Sequence, residues 1–539
     1  MPQLRYDIHC HLFNGDLLQR ELVDLLILLK SVNVQQGGNA RKLMVAVGRL
    51  REIIVIANRP SASEVCTYLQ NQYDDPIVLT PLLMDMSYVD TDYTGKAAGG
   101  EIKRRIKLVL TLLRAALAAL INRVEKLKKK GELPAGEADQ LIQDMTDVRA
   151  GINDLKKRID NSGLADNLLF SRENYLVQYN QLQTLAQNDP NVLPFYNMDP
   201  RQNMYEQNVD VQAEIKANLS GPNPLFKGLK IYCNLGYTPL DKVYMGTAQQ
   251  EGIFAWCERE QIPITVHCSR AGFACLTNSV KINGKYYRDD RVQPKPADGI
   301  VKFKLDVIGL KAGEAIRERA YKLNHPNLWK EVMSKYPNLR INFAHFGGDS
   351  EIMEYVRKEL PKKVTVQRFY DSLKRVPEIA RDQAKKAYRK RETYMYLRPD
   401  IPDDLRTGLW DLFQNTGLID NWTFHILEII RNPAYPNAYT DLSAFSISED
   451  LNGNTIWRTD ADGTDYVSIK DALQQFKSDF YDRQVDYTKK KILYGSDFFL
   501  LEVWGPKTRY FSREFKEVFG AEFDQLSIAH PKSFLNLTP

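Results

Sequence analysis

Short apolar runs, rich in β-branched and aromatic residues, recur along the chain, and each ends in polar residues. They are "LRYDIHCH" (4–11), "PIVLTPLLMDM" (76–86), "VLPFYNMDP" (192–200), "FKGLKIY" (226–232), "IPITVHCS" (262–269), "LRINFAHFGG" (339–348), "AYTDLSA" (438–444) and "KILYGSD" (491–497). Stretches with helical spacing of apolar positions lie between most of them, such as "TAQQEGIFAWCEREQ" before residue 262 and "HPNLWKEVMSKYP" before residue 339. A brief apolar run bounded by polar residues predicts a buried strand, and strands alternating with helices predict a parallel sheet. Eight such units fit an α/β fold, a (β/α)8 TIM barrel, whose chemistry belongs at the C-terminal ends of the strands.

Three intervals are too long for simple strand-to-helix loops, and they predict insertions after strands 2, 5 and 6. In 91–190, Ile106, Val109, Leu113, Leu117, Leu120, Val124 and Leu127 step by three or four, and Leu141, Met145, Val148, Ile152, Leu155 and Ile159 repeat the pattern after "KKKGELPAGE". Two antiparallel helices packed along an apolar seam are expected there, over the barrel mouth or against a second subunit. The second interval, 272–322, contains "SVKINGKYYR", which predicts a hairpin turning at Asn283-Gly284. The third, 360–432, reads as mostly helical and rich in Lys and Arg. The domain division is therefore 1–90 with 191–539 as the barrel, and 91–190 as an inserted helical hairpin.

Bulk properties narrow the class. The 539 residues carry 73 Lys and Arg against 68 Asp and Glu, a surplus of +5, which demands neither nucleic acid nor an anionic membrane. The "KRRIK" and "KLKKK" clusters read as a solvated helix face. Six scattered cysteines without a CxxC pair suit reduced thiols. The beginning of the chain lacks a signal-peptide pattern, and the longest apolar stretch, 108–121, is short for a bilayer and contains Arg114. A cytoplasmic protein acting on a small molecule is expected, with a homo-oligomer allowed.

The candidate chemistry is concentrated in histidine. The chain has seven histidines, and His9, His11, His267 and His345 all fall at the ends of predicted strands. Residues two apart on a strand share a face, so His9 and His11 can reach one metal ion at the usual Zn–N distance of about 2.0–2.1 Å. The alternative is a pair of half-buried, hydrogen-bonded histidines. Asp497 ends the eighth run, and Lys230 lies on the fourth. Arg201 and Arg270 follow the third and fifth runs, where each could clamp a substrate carboxylate or equally form a surface or structural salt bridge. Asp199 and Tyr237 are candidates for the pocket wall, and Asp441 could orient a histidine.

The motifs "DIHCHLF", "PFYNMDPR", "FKGLKIYCNLGYTP", "ITVHCS", "HPNLWKEVMSKYPNLRINFAHFGG", "YTDLSA", "LYGSD" and "AHPKSFLNL" resemble, in order, the amidohydrolase superfamily. More closely, they resemble its branch containing aminocarboxymuconate-semialdehyde decarboxylase. The resemblance spans about 1–90 and 190–539, interrupted by the second and third insertions, and leaves out the helical insertion. It implies one divalent metal, Zn²⁺ or alternatively Mn²⁺ or Fe²⁺, held by His9, His11, His267 and Asp497. His345 would act as a ligand or as the acid/base. Lys230 occupies the strand where two-metal members carry a carboxylated lysine, which would bring a second ion. The implied activity is hydrolysis of an amide, ester or lactone of a small organic acid by metal-activated water. Non-oxidative decarboxylation or hydration of a carboxylated unsaturated or aromatic acid is the alternative, and a silent barrel working by assembly is a third reading. A metal-dependent nuclease of the TatD type also begins with His-x-His, but a glutamate is expected there at the place of Lys230.

Overall fold

The computed structural model describes residues 4–12, 56, 59, 61–96, 99–131, 134–161, 172–221, 224–287, 295–307, 311–374, 376–448, 455–461, 463, 465–504 and 506–537. Each of the eight apolar runs contains a strand: β1 (Arg5–Cys10), β2 (Ile77–Pro81), β3 (Phe195–Tyr196), β4 (Gly228–Ile231), β5 (Ile264–Ser269), β6 (Ile341–Gly347), β7 (Ala438–Asp441) and β8 (Ile492–Leu493). The fold is mixed α/β, with a central six-stranded parallel sheet in the order β8-β7-β6-β5-β4-β3. Every residue of β5 and β6 is buried, as expected for parallel strands covered on both faces.

β1 and β2 form a separate parallel ladder with Arg5 opposite Ile77. Individual backbone bonds tie this ladder to both ends of the larger sheet. On one side, Leu193 N–H donates to Leu79 O (2.8 Å) and Leu83 N–H to Phe195 O (3.0 Å). On the other, Ile8 N–H donates to Tyr494 O (3.4 Å) and Asp497 N–H to His9 O (2.6 Å). The last of these draws the end of β1 against the loop after β8, which places two of the residues singled out above side by side.

Helices Gly99–Lys129 and Ala135–Asn161 form the expected antiparallel pair. Leu110, Leu117, Ile121 and Val124 of the first are buried, as are Leu141, Met145, Val148 and Ile152 of the second. Ile106, Val109, Leu113, Leu155 and Ile159 lie on these helices, but their side chains fall outside those described. A third helix of the interval, Arg172–Asn188, packs instead beside β3: Tyr175 Oη donates to Asn197 O (2.7 Å), and Tyr179 stacks on Phe226.

One expectation needs correction. Asn283-Gly284 is not a turn. Ser279–Tyr286 runs straight through it and pairs with Lys295–Lys302, with Gly284 opposite Ala297. The glycine serves close approach, since a Cβ there would lie 2.1 Å from Leu240 O. The third interval is mostly helical, as expected, and it also holds three short strands. Lys363–Thr365, Tyr388–Arg391 and Tyr394–Leu397 make a three-stranded antiparallel sheet. It packs on helices Val366–Leu373, Glu378–Ala387 and Asp403–Asn415 around a core of its own that includes Val364, Phe369, Met395, Trp410 and Phe413. All six cysteines are buried and unbridged. Among the described residues, no helix is long and apolar enough to cross a membrane.

Candidate metal centre

His9 and His11 leave the end of β1 with ring centroids 5.5 Å apart. One ligand atom from each of His9, His11 and Asp497 lies within 4.8 Å of the other two. The hydrogen-bond partners behind the rings decide which nitrogen carries the proton. Asp441 accepts from Asn342 Nδ2 (2.7 Å), from the backbone N–H of His345 (2.9 Å) and Ser443 (3.0 Å), and from the Ser443 hydroxyl. Because Ser443 Oγ gives its one proton to Asp441, it must accept from the imidazoles, His9 Nδ1 at 3.1 Å and His345 Nδ1 at 2.9 Å. His9 Nδ1 also lies 3.3 Å from Asp441 Oδ2, and His11 Nδ1 lies 2.9 Å from Leu82 O. All three rings therefore carry hydrogen on Nδ1 and keep Nε2 as a lone-pair donor. Metal-ligating histidines show the same arrangement, held from behind by a carboxylate or carbonyl. His9 Nε2 is buried and has no hydrogen-bond partner among the described residues.

Burial favours the neutral form of His11 and His345, the form that ligates. It pushes His11 well below the ordinary histidine value, reinforced by Lys230 and His9, and brings His345 down to about 3. Burial raises the Asp497 carboxyl, against the pull of His9 and Lys230. Lys230 is brought down to about 8 by burial, with Asp497 and Asp441 acting in the opposite direction. Its Nζ is buried with no hydrogen-bond partner among the described residues.

The site stores backbone strain. His345, Phe346, Ala444 and Asp497 are non-glycine residues at φ of 68°, 49°, 56° and 46°. Strain of this kind persists only where the surroundings over-determine the conformation, and it concentrates at functional sites. A second carboxylate, Asp7, holds the Asp497 loop in place. It accepts from Ser496 N (2.8 Å), Ser496 Oγ, His9 N (3.2 Å) and Tyr73 Oη (2.8 Å).

A cavity of about 630 Å³ opens above the group, lined by His11, His267, His345 and Asp497 with Tyr232, Arg270, Phe273, Glu351 and Phe499. The other expected residues divide. His267 reaches the cavity but not the ligand group. Its Nε2 donates to Ala271 O (2.9 Å), the ring stacks on Tyr232 with centroids 4.0 Å apart, and its edge meets His345 at 4.8 Å. The loop after β5 folds back under the ring and claims that nitrogen. His345 Nε2 is 3.9 Å from Asp497 Oδ2. Arg270 lines the cavity, held by Glu351 (3.2 Å) and Asp420 (3.0 Å).

Arg201, Asp199 and Tyr237 do not line this cavity. Arg201 Nη2 donates to Asp199 (2.6 Å) and to Leu235 O (2.9 Å), and Nε donates to Asp199 (3.0 Å), so the guanidinium is held inside the protein by that carboxylate. The Tyr237 hydroxyl accepts from Tyr232 N–H (2.8 Å). Both are fully buried polar groups that need internal partners, which sequence position alone does not reveal. Sequence reasoning passed over Ser443 and Asn342. Ser443 stands two residues after Asp441 in "YTDLSA", a spacing that returns a hydroxyl to its own carboxylate. No protein-family model, no curated protein and no solved structure matches the chain.

Proposed function

We propose that this protein is a metal-dependent hydrolase on a (β/α)8 barrel, acting on an amide, ester or lactone of a small organic acid. Eight parallel strands in barrel order, with backbone bonds from β1 to the β8 loop and from β2 to the β3 segment, support the closed form. The observation that carries the activity is the His9, His11 and Asp497 group, with His9 Nε2 buried and unpartnered, at the strand ends beside the cavity.

Two imidazoles and a carboxylate with room for a further ligand suit Zn²⁺, and Mn²⁺ or Fe²⁺ can compete. A divalent ion held there supplies Lewis acidity, polarising a carbonyl and acidifying water. The chain's own groups do the rest. Asp497 would take the proton from the attacking water. His345 Nε2 stands 3.9 Å from that carboxylate in the cavity wall, where it would ligate the ion or act as the acid/base that polarises the substrate. Asp441 and Ser443 keep both His9 and His345 in the tautomer this requires. Arg270 orients an anionic substrate group from the wall.

A second reading shares the site. Tyr232, Phe273 and Phe499 line the cavity together with Arg270, a lining that fits a flat aromatic or unsaturated acid and favours decarboxylation or hydration. The test is metal analysis of the wild type and His9→Ala, with circular dichroism on both. About one ion per chain, lost in a folded His9→Ala protein, is expected. Equal metal in the two would overturn the reading. A content near two would favour a carboxylated Lys230. Evolution of carbon dioxide from a carboxylated substrate would select the second reaction.

A further inference from the structure

The small module inserted between β6 and β7 has its own core, and its sheet presents one face to solvent. Met395 and Val364 point inward. Tyr394 and Tyr396 occupy the opposite face of the central strand, and their cross-strand neighbours share that face. Arg389 and Lys363 stand opposite Tyr396, and Arg391 and Thr365 stand opposite Tyr394. The face thus has two rows, Arg389–Tyr396–Lys363 and Arg391–Tyr394–Thr365, with cations on both outer strands and aromatic rings between them. The two tyrosines are half-buried with ring centroids 6.4 Å apart, and Arg389, Arg391 and Lys363 are exposed. Lys363 Nζ lies 3.9 Å from the centroid of Tyr394. No carboxylate among the described residues pairs with Lys363, Arg389 or Arg391, and Glu392, in the turn, is the nearest acid in sequence.

The charge is local. From 362 to 398 the chain carries twelve Lys and Arg against four Asp and Glu, a surplus of +8, larger than the +5 of the whole protein. The rest of the chain is therefore slightly acidic, and the near-neutral total conceals a strongly basic segment, followed at once by the acidic helix Asp403–Asn415 of the same module.

We propose that this sheet face binds single-stranded RNA, with bases stacked on Tyr394 and Tyr396 and the backbone phosphates on Lys363, Arg389 and Arg391. Charge complementarity requires a polyanion, and the paired aromatic rings require a planar partner for each, which an anionic membrane does not offer. A duplex hides the faces of its bases, whereas a single strand can splay them onto an aromatic platform. The Thr365 hydroxyl accepts from Arg368 N–H and retains its own proton, a donor in line with Tyr394 for the ribose 2′-hydroxyl that DNA lacks. The surface is separate from the metal group and independent of its chemistry.

The test is fluorescence anisotropy of a labelled 12-nucleotide oligouridylate with the full-length protein, alongside oligothymidylate, duplex RNA and anionic phosphatidylserine vesicles. The oligouridylate should bind, more weakly with rising salt, and in preference to the other three. Tyr394→Ala/Tyr396→Ala should weaken binding at least tenfold, and Arg389→Gln/Arg391→Gln should weaken it and flatten the salt dependence. Thermal melting of each variant, with metal content unchanged, shows that the fold is intact. Should the tyrosine pair fail to fold, Tyr396→Leu alone tests the same stacking position. Absence of binding by the wild type would overturn the proposal. So would equal binding by the tyrosine variants, or tighter binding to duplex, to DNA or to vesicles.

Discussion

Asp441 lies behind the cavity rather than in it, and five protein groups converge on its two oxygens. Burial pushes its carboxyl pKa up, and the His9 ring with the other donors brings it well below the ordinary carboxylate range. Asp441→Asn keeps the shape, but its amide Nδ2 cannot accept from the imidazole and backbone donors. Loss of such support behind a ligating histidine commonly lowers metal affinity by about 10–100-fold. That decrease is expected in chelator competition with the fold retained, and an unchanged affinity would show that Asp441 only packs. A second residue-scale network lies away from the metal group. His325 caps helix Pro326–Lys335 by accepting from Asn327 N–H at Nδ1, so its proton is on Nε2 and points to Asp420 at 3.0 Å. Burial lowers His325 to about 4, with Asp420 opposing. The unfolded chain, near 6.5, therefore binds more protons than the folded one, and stability falls as pH drops from 6.5 to 4. That shift corresponds to on the order of 3 kcal/mol. His425, raised by its bonds to Asp420 and Glu428 against the effect of burial, works in the opposite direction, because its contribution is lost as pH rises. Urea unfolding at pH 7, 5.5 and 4 should show the gap between wild type and His325→Gln shrinking toward acid. A constant gap would mean that His325 contributes through packing alone.

At the scale of the element, the pair Gly99–Lys129 and Ala135–Asn161 packs chiefly on itself. Leu117, Ile121 and Val124 face Leu141, Met145 and Val148 along one seam, and polar residues cover the outer sides. The seam joins the main core only through its edge, and among the described residues the pair meets other elements far less than it meets itself, so its removal uncovers only a small part of the core beneath. Replacing 101–160 by a short Gly/Ser linker should leave the metal content of the protein unchanged while lowering its helical circular dichroism. A metal-free product would show that the hairpin supports the site. The module between β6 and β7 is also self-sufficient, closed around Trp410, Phe413 and Phe369. Its strands were missed because "YRKRETYMYL" places cations where a strand ordinarily places apolar residues. Edge strands protect themselves in this way with Lys and Arg, so charge there marks an exposed ladder rather than a helix.

At the scale of the whole molecule, an ion that binds only the folded chain shifts the unfolding equilibrium by mass action, about 2.7 kcal/mol at one hundred times its dissociation constant. Chelation should therefore lower the melting midpoint, readdition of Zn²⁺ should restore it, and His9→Ala should melt at one midpoint in both conditions. Insensitivity of the wild type to chelator would count against the metal centre. The sequence by itself determined the eight strand positions, because a strand buried on both faces reads as a mainly apolar run, and every residue of β5 and β6 is buried. It also brought out His9, His11 and Asp497, because polar residues at the ends of apolar runs have no place in a core. Only the tertiary structure decided how these groups are used. The protons of His9 and His345 are set by Ser443 and Asp441, hundreds of residues from His9. The same long-range satisfaction turned His267 toward Ala271 O and tied Arg201 to Asp199, two residues whose types had pointed to ligand and substrate. A residue's type states which partners it needs, and the folded chain decides which of them lie within about 3 Å.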